Sequence, residues 1–126
     1  MKQQALQAAQ RLLGLLMVVF GLNGLLHFMP VPPPATEEAM KFIVALATTK
    51  SFWWLLKGTE IVTGAALLVN RWAALAAVVL APVTLNILLY HTTLDTSGAP
   101  LAVVLTALHV ATAWRLRDSY KAVLAK

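Results

Sequence analysis

Four long runs of apolar residues, each interrupted at only a few polar positions, divide this chain. They cover about residues 6–28, 52–69, 72–91 and 101–117. Each run is close to the roughly 20 residues with which an α-helix crosses a bilayer core. No stretch alternates as a strand would, and no internal repeat is evident.

The breaks between the runs are equally readable. Met29 is followed by Pro-Val-Pro-Pro-Pro, which no helix can continue through. Thr36 then has the chemistry of a helix N-cap, and Glu37 and Glu38 suit a helix's positive end. The segment from Glu37 to Thr48 is apolar along Met40, Ile43, Val44 and Ala47, and it is too short to span. It predicts an interfacial or re-entrant helix. Ser51 is the expected cap of the second span, Asn70-Arg71 a tight connection, and Pro82 a kink in the third span. Thr92 to Pro100 forms a polar loop with Asp95, Ser97 and Gly98, and the fourth span runs on into an amphipathic tail. The expected architecture is therefore all-α. It is a single integral-membrane domain over 1–126, a four-helix bundle with an extra short helix between spans one and two.

Composition removes the competing fold class. The chain is 60% hydrophobic and 12% charged. A soluble domain carries about 25% charged residues. The first eleven residues, MKQQALQAAQR, resemble the start of a signal peptide, but no small-residue cleavage site follows, so a retained first helix is expected. There is no cysteine, which excludes disulfides, thiol relays and thiolate metal sites within this chain. The net charge of +5 is not organised as a basic cluster interleaved with aromatics, so it speaks for lipid headgroups and topology rather than nucleic acid.

The charges also orient the spans. Lys2, Arg11, Arg71, Arg115, Arg117, Lys121 and Lys126 fall on the side of the two termini, and only Lys41, Lys50 and Lys57 on the other. The positive-inside rule then predicts cytoplasmic termini in a bacterial inner membrane. Aromatics agree: Phe28, Phe52, Trp53, Trp54 and Tyr90 would mark the outer interface, and Trp72, Trp114 and Tyr120 the inner one.

Within this frame the polar residues acquire depth. At 1.5 Å per residue, Lys57 lies about 8 Å and Glu60 about 12 Å below the outer surface, Asn86 about 7 Å below His91, and His109 about 12 Å into the fourth span. His27 is near the outer end of span one, with Asn23 one turn below it. The strongly polar groups thus segregate to the outer half, above an apolar inner half. This pattern predicts an outward-opening pocket with Glu60, His109 and Lys57 as candidate catalytic groups and Asn23, His27, Asn86 and His91 as candidate ligand-binding groups. Each has a plainer reading. Lys57 and Glu60 are i, i+3 neighbours and could form a structural ion pair. The asparagines could be interhelical hydrogen bonds, and the histidines near the surface interfacial residues. Gly14, Gly21, Gly24, Gly58 and Gly64 suit close helix packing. No HxxxH or ExxH spacing is present, so no metal or haem site is expected.

Three stretches carry a family resemblance: Arg11 to Pro34, Leu55 to Ala76 with KGTEIVTG (Lys57 to Gly64), and Ala81 to Asp95 with NILLYH (Asn86 to His91). With these the chain resembles the DoxX family of small bacterial four-helix membrane proteins. The resemblance implies the four-helix fold and an association with membrane oxidoreductase systems, including a quinone-linked one. A quinone is the implied cofactor, and the implied partner is an oxidoreductase subunit. The other reading is a non-enzymatic lipid-binding or scaffold protein, possible as a homo-oligomer through its small-residue faces.

Overall fold

A computed structural model describes residues 2–126. Its long helices are α1 (Lys2–Leu26), α3 (Lys50–Val69), α4 (Ala73–Thr93) and α5 (Ala99–Arg115), with the short α2 (Glu37–Thr48) between the first two. A 3-10 turn at Thr96–Gly98 leads into α5, and another at Arg117–Tyr120 leads into a last helical turn, α6 (Lys121–Leu124). All four long elements, taking α5 with its preceding turn, are long and apolar enough to cross a membrane. The chain is an all-α four-helix membrane bundle with one extra short helix.

The helices close into a ring in which α1 touches α3 and α5, and α4 touches the same two. Each contributes one stripe to the interior: Gln10, Leu13, Gly14, Met17 and Gly21; Glu60, Thr63, Gly64 and Leu67; Ala76, Ala77, Leu80 and Thr84; Ala102, Leu105, His109 and Thr112. The spacings of three and four residues are those of a single helix face. The opposite faces leave Leu15, Val62, Leu75, Val79, Leu85, Val104 and Val110 exposed, which in water would be untenable and in lipid is ordinary.

The tightest seam is α1–α3. A Cβ at Gly14 would stand 2.6 Å from the Gly64 carbonyl oxygen, and one at Gly64 would stand 2.7 Å from the Gly14 carbonyl oxygen. The two backbones meet there because neither residue has a side chain, the small-residue packing by which helices associate in lipid.

Helix ends differ from expectation in instructive places. Thr36 is the N-cap of α2: its hydroxyl accepts from the Ala39 amide at 3.1 Å and donates to the Leu94 carbonyl at 2.7 Å. Ser51, in contrast, is not a cap. α3 begins one residue earlier, at Lys50, and has no side-chain cap bond. α1 starts at Lys2, because the Gln- and Ala-rich lead is a good helix former. It stops at Leu26, with His27 in the left-handed region at φ 53°. α4 runs unbroken through Pro82. Trp72 precedes it in a left-handed conformation, at φ 52°.

Candidate functional site

The residues singled out by sequence separate into distinct clusters rather than one recess. Lys57 and Glu60 form an ion pair of 3.1 Å with side chains only 14% and 5% exposed. The pair lies in the α1–α3 seam. A Cβ at Gly24 would meet the Lys57 stem at 2.5 Å, and one at Gly21 would stand 3.2 Å from the Glu60 Cβ. Lys57 also lies 4.8 Å from the centre of the Trp53 ring, whose indole N–H donates to the Gly24 carbonyl at 3.1 Å. The glycines thus make room for the cation, and Trp53 covers it. The i, i+3 spacing is thus realised as an ion pair.

His109 occupies the seam on the other side of the ring, between α4 and α5. Its Nε2 is 3.0 Å from the Ala77 carbonyl oxygen and its Nδ1 2.8 Å from the Thr84 hydroxyl. A carbonyl can only accept, so Nε2 carries a proton, and in the neutral ring Nδ1 accepts from Thr84. One imidazole therefore bridges two turns of α4 on either side of Pro82. The interactions of Glu60 and His109 share no partner.

The remaining candidates sit at the bundle end that holds the connections into and out of α2. Asn23 is buried, and its amide makes both of its bonds to the Met29 backbone, accepting at 2.7 Å and donating at 3.3 Å. It closes the end of α1 where the following prolines offer no amide. His27 is exposed at that left-handed turn. Asn86 is also exposed on the outer surface of α4, where its side chain donates to the Pro82 carbonyl at 2.8 Å. His91 is half-buried, donates from Nδ1 to the Asp95 carbonyl at 3.0 Å and packs edge-on to Tyr90. The expected shared pocket for Glu60, Asn23, His27, Asn86 and His109 is not formed, because these side chains are engaged on different seams or face outward.

Two polar arrangements were not anticipated. Asp95 ties the proline-rich connection to the α4–α5 loop: one carboxylate oxygen accepts from the Ala35 amide at 3.2 Å, and the other from the Ser97 amide at 3.2 Å and from the Ser97 hydroxyl. The Asp-x-Ser spacing is the sequence signal for such a turn. At the opposite end Gln10 is fully buried. Its amide N–H2 donates to the Leu67 carbonyl at 3.0 Å and the Asn70 side chain at 2.9 Å, and its oxygen accepts from Arg115 at 2.7 Å. That network contradicts the expectation that the inner half is purely apolar.

The Asp95 clasp has a definite pH signature. The Ser97 hydroxyl, then the Ala35 and Ser97 amides and nearby His91, hold its carboxyl below the usual carboxylate range, against the opposite pull of burial. A depressed folded-state pKa means stability that is present above the unfolded value of about 3.9 and lost as pH falls through the folded value. Hydrogen exchange at the Ala35 and Ser97 amides is expected to accelerate below about pH 4, the unfolded value, beyond the intrinsic trend. In Asp95→Asn that acid-dependent step should be missing. If both proteins show it, another group is responsible.

Two apolar depressions adjoin on the outside of α5. The larger is an open groove of about 620 Å³ walled by Val103, Ala107, Val110 and Trp114 of α5, with Leu88 of α4 and Leu6 of α1 at its edges. The smaller, about 150 Å³, lies between α4 and α5 and is bordered by His109, Thr84, Thr106, Ala81 and Leu85. Leu88, Thr106 and Val110 wall both. His109 is the only one of the sequence-predicted site residues that borders either of them. Among the described residues there is no grouping of three or more metal-ligating side chains. Comparison of the chain with protein-family models, curated proteins and solved structures finds no match.

Proposed function

We propose that this membrane protein holds a quinone-like amphipathic molecule at the α4–α5 seam, as a small component of a membrane oxidoreductase system. The membrane is a bacterial inner membrane, and the termini are cytoplasmic. The observation that carries this reading is the recess on His109: a buried polar pair, His109 and Thr84, borders an apolar space of about 150 Å³ that opens to lipid. A cavity of about that size takes one aromatic ring. The chain's residues suit such a ring. The Thr106 hydroxyl, which donates to the Ala102 carbonyl at 2.8 Å, can turn toward a ring oxygen. Ala81, Leu85 and Leu88 exclude water. When bound, the quinone would supply the electron-carrying chemistry. The DoxX resemblance and the positive charge at the termini support the same setting.

The check is extraction of the purified protein and identification of co-purifying molecules by mass spectrometry. A quinone is expected at near-stoichiometric yield. Thr106→Val should lower retention about tenfold, the worth of one hydrogen bond, and Ala81→Phe, which fills the recess from its lipid side, should lower it at least as much. Their helical content should be unchanged. Extracts free of quinones, or undiminished retention in both variants, would refute the reading.

A further inference from the structure

The larger groove adjoins the His109 recess, sharing Leu88, Thr106 and Val110 with it, but runs on along α5 to a chemistry of its own. Its wall descends α5 from Val103 through Ala107 and Val110 to Trp114. At 1.5 Å per residue those eleven steps cover about 16 Å. That is about half of a hydrocarbon core roughly 30 Å thick, the depth of one leaflet.

The groove ends among cations. The Arg117 guanidinium lies 4.7 Å from the centre of the Trp114 ring, and its Nη1 donates to the Trp114 carbonyl at 2.8 Å. A guanidinium has five N–H donors, so the exposed remainder of this one is free for an anion. On the facing helix, Leu6 edges the groove and Lys2, also exposed, lies one turn earlier on the same face. Neither Lys2 nor Arg117 is in an ion pair among the described residues. The one acid of this end, Asp118, is taken by Lys121 at 2.6 Å.

We propose that this groove binds an anionic phospholipid of the leaflet on the side of the termini. Its phosphate rests against Arg117 and Lys2, and one acyl chain lies along α5 over Ala107 and Ala111. The small residues let the chain approach the helix, and Trp114 stands at the boundary between chain and headgroup, where tryptophan is at home. Charge complementarity selects an anionic head over a zwitterionic one, because the two cations face a single nearby carboxylate, Asp118, which Lys121 already engages.

Native mass spectrometry of the full chain, released from micelles doped with equal amounts of phosphatidylglycerol and phosphatidylcholine of identical acyl chains, tests this. Phosphatidylglycerol should be retained in preference by about tenfold or more. The double variant Lys2→Gln/Arg117→Gln should lose that preference. Arg11→Gln/Lys126→Gln removes the same charge away from the groove and should keep it. Ala111→Phe, which fills the groove, should reduce retention of both lipids while leaving quinone at the His109 recess untouched. Absence of a preference in the parent, or equal loss in the two double variants, would overturn the proposal. Loss of quinone alone would instead count against the function proposed above.

Discussion

Replacing Gly64 with leucine is expected to pull the bundle apart at its closest seam. Even the first added carbon would stand 2.7 Å from the Gly14 carbonyl oxygen, and 2.9 Å from both the Met17 Cβ and the Val18 amide nitrogen. Two of these three atoms are backbone, so no rotamer change relieves the clash, and α1 must move away from α3. Overpacking of this kind costs about 1–3 kcal/mol and occasionally more. Here the displacement also opens the seat of the Lys57–Glu60 pair, which uses Gly21 and Gly24 two turns further along the same seam. Gly58 provides the control, since nothing lies within 4 Å of a Cβ there. Gly58→Ala should be neutral or stabilise by up to about 1 kcal/mol through helix propensity. Denaturation in mixed micelles, followed by far-UV circular dichroism, measures both. A Gly64→Leu protein as resistant as the parent would contradict the packing described.

The second large effect is asymmetric. Lys57→Met leaves the Glu60 carboxylate in the seam without its cation, and removing one partner of a buried pair costs about 3–5 kcal/mol. Removing both, as in Lys57→Met/Glu60→Leu, replaces the pair by apolar groups of similar volume and should recover most of that loss. The cycle of single and double variants isolates the pairwise contribution. The Glu37–Lys41 pair, 3.2 Å apart with side chains 77% and 73% exposed, sets the scale for a pair in solvent. Lys41→Met should cost no more than about 1 kcal/mol. Were Lys57→Met equally mild, the buried pair would hold nothing together, and its persistence in the seam would need a different cause.

Much of the fold could be read directly from residue order. Span positions follow from hydropathy alone, and α2 from Thr36, the two glutamates and the proline run before them. The site was less legible for a geometric reason. Rise per residue gives depth, placing Glu60 and His109 near one level, but depth says nothing of azimuth. The order of helices around the ring decides that, and it assigns Glu60 to the α1–α3 seam and His109 to the α4–α5 seam. Asn86 was legible in principle. It is two residues from buried Thr84, about 200° round the helix, and so faces outward. Gln10 was also accessible, being three, four and seven residues before Leu13, Gly14 and Met17 on the buried stripe. Its position ahead of the main apolar run concealed it. That Thr84 serves His109 could not be foreseen, since a threonine in a helix ordinarily bonds its own preceding turn.

The Gln10 network bears on how the chain is made. Its oxygen is met by a guanidinium 105 positions later, whereas its amide is met by Leu67 and Asn70. During synthesis, a nascent three-helix intermediate therefore carries a half-satisfied carboxamide on the flank that α5 will cover. Exposing that dipole to hydrocarbon is unfavourable, so the three-span arrangement favours docking of α5 on its open flank. Arrival of α5 both closes the ring and supplies the guanidinium that meets the Gln10 oxygen.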